Sequence, residues 1–357
     1  MENKNLNRML NIGYAIEVLC GRLNGSSSEV EKKNNSYKNS TYTKKIGSRS
    51  RISSQCQKYN QKLFMEQVCG YEQNVKTKDG KQVKLVPNPF KYAIDDIFGF
   101  MMAEKLSIEE DVYNELSDEE KEIYKKNKKK YEANITKKRK SRWQMNSLIN
   151  VSNRKVEWEW NVCGTTGDSM PYQVEVYSGV HANIANLNIG KIGEYNISDI
   201  ASEHRDYTTL EADKLIGIEK SDKEEKFKRI EALLKSLEYL SIEGNKTNHL
   251  TDTKPKFVIL GEYSWGNNVF QGIIKENGLD VEMLKESIEQ NEEFRKSDIW
   301  IGINKFYDDT FNEIEVNNEK EQIKKYLEEE FEEYDFMKVS NVHQAFESYL
   351  KYLKETL

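Results

Sequence analysis

A basic, hydroxyl-rich segment from Lys32 to Lys62 has the residue types that bind phosphate groups. It contains nine Lys or Arg residues and no Asp or Glu. Phosphates are bound by guanidinium, ammonium, hydroxyl and backbone N–H donors, and a Ser/Gly loop that leads into a helix N-terminus supplies all four. A solvated basic loop without a ligand has the same composition, so that alternative stays open. The candidate phosphate-binding residues here are Arg49, Arg51, Ser53, Ser54, Gln55 and Lys58, with Tyr59 near enough to stack.

The net charge of −6 over 357 residues argues weakly against nucleic-acid binding. The charges are segregated, however, because the basic segments 32–62 and 121–142 are separate from an acidic stretch at 312–335. Attraction to phosphates is local at physiological ionic strength, so the local charge decides the question rather than the total. Nucleic acid therefore remains a possible ligand.

Patterns typical of enzymes are absent or weak in the sequence. No GxxxxGK[ST] or HExxH motif occurs, which gives NTPase and zincin functions no support. The cysteines are not at CxxC spacing and are expected to be reduced thiols that mostly fill the core. We therefore expect no catalytic residue, no metal and no cofactor. The scattered histidines and cysteines are His181, His204, His249, His343, Cys20, Cys56, Cys69 and Cys163.

The predicted elements alternate between strands and helices. The order is strand, helix, insertion, strands, long helix and strands, which favours a split β-α-β, ferredoxin-like core with additions. No run of eighteen apolar residues and no signal-peptide pattern occurs, so we expect a cytoplasmic protein. The predictions are a strand at 12–19, a loop at 21–46, a helix at 52–69, an insertion at 70–145, strands within 146–162 and 172–190, a helix at 223–240, strands KFVILGEYSW and NVFQGII, and an acidic helical tail from about 278.

Several passages together resemble a known family. The strand-loop-helix start SRSRISSQCQKY resembles the signature of the CRISPR-associated Cascade backbone subunit of the DevR, or autoregulator, type found in type I-B systems. Further similar passages within 6–275 are DDIFGF (95–100), KRKSRWQMNSLINVS (138–152), PYQVEVYSGVHANIANLNIGKIG (171–193), and the helix 223–240 followed by SIEGNKTNHLTDTKPKFVIL.

This resemblance implies an α+β fold organised like a right hand. The implied regions are an RRM-like palm (6–69, 146–190 and 223–275), fingers (70–145), a thumb (192–222) and an acidic helical C-terminal extension (276–357). The implied function is non-catalytic binding of guide RNA. The expected partners are the crRNA guide, the target DNA strand, further copies of the chain in a helical filament and other Cascade subunits.

The resemblance also assigns residues to the RNA. Palm contacts would come from Lys45, Arg49, Arg51, Ser53 and Gln55. The sequence lacks an aromatic-rich RNP1 strand, which favours base-independent recognition of the RNA backbone. Further contacts would come from the loop Gly244, Asn245, Lys246, Thr247 and Asn248, and from the basic run Lys137, Lys138, Arg139, Lys140 and Arg142.

Two alternatives remain at this stage. One is an RNA-cleaving subunit of the type III kind, in which Asp168 or Asp95 would be the loop carboxylate. A lone carboxylate without a metal cluster supports this weakly. The other is a structural or regulatory protein unrelated to CRISPR, whose acidic tail recruits a partner. The alternating aromatic stretch VEWEW is more typical of a sheet surface or interface than of a base-stacking platform.

Overall fold

The chain folds into two compact units, which are described separately. The first comprises Met1–Val68, Gln144–Gly190 and Glu231–Leu357, and the second comprises Cys69–Trp143 and Lys191–Ile230. The computed structural model describes residues 8–24, 27–33, 36–74, 76–79, 82–85, 87–116, 118–121, 124–127, 130–152, 154–164, 169–194, 221–275, 278–304 and 320–357.

Strands and helices both contribute to the described residues. The strands are Met9–Gly21 (β1), Ser27–Lys33 (β2), Ser36–Tyr42 (β3), Lys45–Ile46 (β4), Arg49–Ile52 (β5), Lys76–Asp79 (β6), Gln82–Leu85 (β7), Phe100–Glu109 (β8), Lys125–Asn127 (β9), Lys130–Arg139 (β10), Trp143–Met145 (β11), Leu148–Asn150 (β12), Glu157–Gly164 (β13), Ser169–Asn188 (β14), Pro255–Tyr263 (β15), Ile274–Lys275 (β16), Gly278–Leu279 (β17), Arg295–Ile303 (β18) and Met337–Ser340 (β19). The helices are Ser54–Gln67 (α1), Ala93–Phe98 (α2), Glu110–Glu115 (α3), Asp118–Lys121 (α4), Lys223–Glu238 (α5), Val281–Gln290 (α6), Lys320–Glu330 (α7) and Val342–Thr356 (α8).

A large mixed sheet is the framework of the first unit. Its strand order is β19-β18-β15-β1-β14-β12-β5-β4, and β3 and β13 also pair with β14. The β18–β19 and β14–β3 pairs are parallel, whereas β1 is antiparallel to both of its neighbours. The predicted first strand is confirmed, and it is buried on both faces because its apolar run is nearly continuous. The fold is therefore mixed α+β.

Alternate residues of the central strands face two different apolar layers. Ala15 and Phe257 lie in a core cluster with residues of α6 and α7, such as Leu284 and Leu327. On the other face, Gly302 of β18 lies against α8. A Cβ atom at this position would lie 2.6 Å from the Val342 Cα atom, so only glycine allows this close approach. Helices thus cover both faces of the sheet.

Three predicted segments differ in the structure. The tail after 278 is not a purely helical extension, because β18 and β19 join the central sheet; IWIGI supplies the apolar residues of β18 amid charged flanks. Residues 21–46 are not simply a loop, since β2 pairs with β3 and β3 pairs with β14. The segment NVFQGII is mostly turn, because the Asn268 amide donates to the Ile12 and Ala185 carbonyls and bends the chain.

The second unit is organised around one buried carboxylate. Asp96 in α2 is fully buried. Its Oδ2 accepts hydrogen bonds from Arg229 Nη1 and from the Gly193 backbone N–H, both at 2.9 Å. Its Oδ1 accepts from Arg139 Nη2. One side chain therefore joins α2, β10, the start of α5 and the turn at Gly193.

We expect Asp96→Ala to destabilise the second unit by about 3 to 5 kcal/mol, because it removes the buried carboxylate that the Arg139 and Arg229 guanidinium groups share. Urea-dependent hydrogen exchange of the amides in 87–116 and 130–139 measures the effect. Glu224→Ala is the matched control, since it removes a carboxylate from an exposed Lys228 ion pair. Equal exchange in both variants would contradict the central role of Asp96.

Candidate nucleic-acid interface

A serine side chain caps the N-terminus of α1, within the helix predicted at 52–69. Ser53 caps the helix, since its Oγ accepts a hydrogen bond from the Cys56 N–H at 3.3 Å. The Ser53 N–H in turn donates to Asn24 Oδ1 at 2.8 Å. Ser54 is half-buried, Gln55 is exposed, and no acidic residue lies in the first turn. A helix start of this kind favours a negatively charged ligand nearby.

Strand β5 separates its side chains onto two faces. Arg51 is paired in register with Ile149 of β12, and Arg49 shares its face by strand alternation. Ser50 lies on the opposite face, where it contacts His181 Nε2 at 2.9 Å. His181 Nδ1 lies 3.0 Å from the Gly179 carbonyl, so Nδ1 carries the proton and the Ser50 hydroxyl donates to Nε2. Buried hydrogen bonds therefore hold the strand that carries both arginines.

A groove of about 310 Å³ runs along the arginine face of the sheet. Its floor is apolar, and its rim has amide, hydroxyl and cationic groups, with no carboxylate among the lining residues that the structure describes. The side chains of Arg49, Gln271 and Lys275 are exposed there and make no hydrogen bond or ion pair with described residues. The lining residues are Arg49, Asn146, Ser147, Ile149, Val151, Ala182, Asn183, Ile184, Phe270, Gln271, Gly272, Ile274 and Lys275.

Two other cations of the basic segment, Lys45 and Lys58, are less available than Arg49. Lys45 forms an ion pair with the buried Glu175 carboxylate. Burial, together with the neighbouring Lys62, lowers the pKa of Lys58. The Nε atom of Arg51 is buried without a hydrogen-bond partner among the described residues, so it retains an unused donor on the arginine face. Of Lys45, Arg49 and Lys58, Arg49 is thus the cation best placed to bind an anion, and Arg51 lies on the same face of the strand.

The predicted loop at Gly244–Asn248 is a tight turn beside α1. The Glu243 N–H donates to Asn60 Oδ1 at 3.1 Å, which ties the turn to the helix. Lys246 is paired with Glu243 at 2.9 Å. Asn245 has a φ of 57°, in the left-handed region that Asn tolerates. Thr247 and Asn248 are exposed, whereas the charge of Lys246 is partly neutralised.

The basic run at 137–142, which was expected to contact the guide or target strand, is partly buried in the structure. Arg139 and Arg142 are 9% and 4% exposed, and Arg139 is bound by Asp96. Lys140 is exposed, and the side chains of Lys137 and Lys138 lie outside the described part of the chain. The two arginines therefore stabilise the second unit, since a buried guanidinium needs an acceptor. The RNA contacts expected of this run stay a prediction.

Sequence reasoning missed the groove residues Asn146, Ser147, Gln271 and Lys275. Asn146 and Ser147 follow the basic run in the sequence QMNS, which is typical of a polar strand end. No local sequence pattern predicts that Gln271 and Lys275 lie beside them. Trp160 and Trp158 are 65% and 44% exposed on β13, as expected for a sheet surface or interface.

Of the two carboxylates considered for RNA cleavage, Asp95 lies in the described part of the chain. Asp95 is buried and accepts hydrogen bonds from Asn74 Nδ2 at 2.6 Å and from the Asn88 N–H at 2.9 Å. Asp168 lies outside the described residues. Within the described ranges, no group of three or more His, Cys, Asp or Glu residues could hold a metal ion.

None of the described helices is both long and apolar enough to span a membrane.

Comparison with known proteins decides the family. A model of the family described as CRISPR-associated negative auto-regulator DevR/Csa2 matches residues 37–264, well over half of the chain. The chain belongs to the DevR/Csa2 family. This assignment covers α1, β5 and most of the palm predicted from the sequence.

Two solved structures are similar to this DevR/Csa2-family chain. A chain of a "CRISPR RNA-guided surveillance complex" has 11% identity and a TM-score of 0.45, covering 85% of this chain and 91% of that one. A chain of a "CRISPR RNA-guided surveillance complex, pre-nicking" has 11% identity and a TM-score of 0.47, covering 85% and 95% respectively. No curated protein matches the sequence.

The buried His181 should make the stability of this DevR/Csa2-family protein pH-dependent. Burial lowers its pKa to about 4, so the folded state holds the neutral ring. The stability contributed by this site is therefore complete above an unfolded pKa of about 6.5 and is lost as pH falls toward 4. The loss should reach about 3 kcal/mol.

Urea unfolding followed by tryptophan fluorescence at pH 7, 6, 5 and 4 measures this loss. His181→Gln does not titrate, so the difference in unfolding free energy between wild type and variant should shrink as pH falls. A difference that is constant over this range would show that His181 is not buried as a neutral base. Other titrating groups cancel in the comparison.

Proposed function

We propose that this protein is a non-catalytic, guide-RNA-binding backbone subunit of a CRISPR surveillance complex of the Cascade type. It stacks along crRNA and supports pairing of the guide with target DNA. The observation that carries this proposal is the groove of the first unit, whose described lining residues include Arg49 and Lys275 and no Asp or Glu. Membership of the DevR/Csa2 family supplies the CRISPR context.

The strand order of the first unit supports the RRM-like palm. Strands β15, β1, β14 and β12 are consecutive and antiparallel, with α1 between β1 and β12 in sequence and α5 between β14 and β15. This is the order of a split β-α-β, ferredoxin-like sheet. The fingers (70–145) nearly coincide with the first segment of the second unit. The proposed thumb (192–222) lies mostly outside the described residues.

The groove chemistry favours recognition of the RNA backbone. Guanidinium, ammonium and hydroxyl groups bind phosphate and sugar oxygens irrespective of the base. The floor of Ala182 and Ile184 adds apolar contact without hydrogen-bonding groups that read base edges. A subunit that repeats along guides of any sequence requires this kind of binding. The exposed Thr247 and Asn248 would add neutral polar contacts beside α1.

We expect Arg49→Ala with Arg51→Ala to weaken RNA binding about tenfold or more, equally for unrelated sequences. Two lost phosphate contacts should also flatten the plot of log affinity against log salt by about 1.4 units of slope for single-stranded RNA. Filter binding of three RNAs of unrelated sequence at several salt concentrations measures both quantities.

The matched control is Lys296→Ala with Lys351→Ala, which changes the net charge equally at exposed positions outside the groove. It should leave both affinity and slope nearly unchanged. If the two double variants lose affinity equally, then general charge rather than the groove binds the RNA. If neither loses affinity, the RNA binds elsewhere.

We also expect assembly to require RNA. A heterologous contact between copies does not close on itself, so it propagates along a template. The basic segments of neighbouring copies repel each other until phosphates neutralise them. Light scattering should show a mass that increases in steps with RNA length, and the Arg49→Ala, Arg51→Ala variant should need more RNA. A constant mass at every length would contradict templated stacking.

A further inference from the structure

Away from the groove, the first unit brings a thiol, an imidazole and a carboxylate into one row. Cys20 Sγ lies 3.7 Å from His249 Nδ1, within hydrogen-bonding reach of a sulfur atom. On the other side of the ring, His249 Nε2 lies 3.3 Å from Glu159 Oε2, an ion-pair distance without hydrogen-bond alignment, and this buried oxygen has no hydrogen-bond partner among the described residues. The three residues come from the end of β1, the segment after the Gly244–Asn248 turn, and β13. A nucleophile, a base and an orienting group in this order are the elements of an activated thiol.

The surroundings leave the sulfur open and the base covered. Cys20 is exposed, whereas the side chain of His249 is 8% exposed. The His249 backbone N–H donates to the Asn245 carbonyl at 3.1 Å. The Leu19 N–H donates to Thr251 Oγ1 at 3.3 Å, which holds the end of β1 beside this segment. A small reagent can thus reach Cys20 while the imidazole stays fixed against it.

The charges around the thiol show why the imidazole matters. Burial and then the carboxylates of Glu159 and Glu157 raise the pKa of Cys20, so the thiol alone ionises poorly at neutral pH. A carboxylate beside Nε2 favours the tautomer with the proton on Nε2, which leaves the Nδ1 lone pair facing Sγ. Glu159 also stabilises the imidazolium that forms when Nδ1 takes the thiol proton.

We propose that Cys20, His249 and Glu159 form a nucleophilic thiol site that reacts with low-molecular-weight disulfides. The Cys20 proton moves to His249 Nδ1, and Sγ attacks one sulfur of the disulfide. The disulfide bond of the reagent breaks as a new S–S bond to Cys20 forms, and the leaving thiolate takes the proton from Nδ1. Cys20 is oxidised, one half of the reagent is reduced, and no further oxidant is consumed.

The product is a mixed disulfide on the exposed surface, next to the segment that carries the Gly244–Asn248 turn. A reducing thiol reverses the reaction by the same steps. Through this site, small disulfides would modify the protein covalently, so the modified fraction would follow the redox state of the small thiols. The inference concerns residues outside the groove, so it stands or fails independently of RNA binding.

Labelling of the native full-length protein tests this inference. The wild-type chain is treated briefly at pH 7 with an aromatic disulfide reagent and digested, and the modified peptides are quantified by mass spectrometry. Cys20 should react about tenfold faster in the native chain than in urea, because its proton acceptor is in contact. His249→Gln should remove this advantage.

The two glutamates give a control that separates activation from simple electrostatics. Removing either negative charge should by itself ease ionisation of the thiol and speed labelling. We expect this for Glu157→Gln, but expect Glu159→Gln to slow labelling about threefold or more, since it removes the group that orients His249. Faster labelling of both variants, or an unchanged rate in His249→Gln, would overturn the site. Circular dichroism of each variant confirms that its fold is intact.

Discussion

The pairing of β1 with both of its neighbours is the constraint on which the first unit depends. Tyr14 is opposite Asn183 on one side and Val258 on the other. The strand is buried on both faces. A shift in register by one residue would therefore move Tyr14 into the layer that Ala15 occupies, and would move every other side chain of the strand to the opposite face. Because β12 and β5 continue the sheet from β14, this register also sets where Arg49 lies.

A buried polar network fixes α1 on that sheet. The Tyr14 hydroxyl donates to Gln57 Oε1 and accepts from Asn183 Nδ2 at 2.8 Å. Gln57 Nε2 donates to the Asn146 carbonyl at 3.3 Å. Burial raises the pKa of Tyr14, so its proton is retained for this contact. Helix α1 is therefore anchored by hydrogen bonds to β1, to β14 and to the segment between β11 and β12, and its capped N-terminus keeps a constant position next to β5.

The sequence predicts the elements better than it predicts their neighbours. β1, α1 and α5 follow from local periodicity, and the Ser53 cap follows from residue type, since both are short-range properties. The wall of the groove at Gln271 and Lys275 depends on Asn268, whose amide bonds to strands distant in sequence. No local sequence pattern predicts these hydrogen bonds of Asn268. β18 was likewise not predicted, because charged residues flank its short apolar segment IWIGI. That segment is recognised as a strand only once its partner strand is known.

Arg139 shows the same limit for the candidate site. In sequence it belongs to a run of cations, but Asp96, 43 residues earlier, binds it inside the second unit. Lys45 and Lys246 are also paired, with Glu175 and Glu243. A count of basic residues thus overstates the charge available to a ligand, because a paired cation must first give up its carboxylate. Attraction of phosphate should depend on the few cations that face the groove without such a partner. These cations can attract phosphate despite the net charge of −6, because the attraction is local at physiological ionic strength.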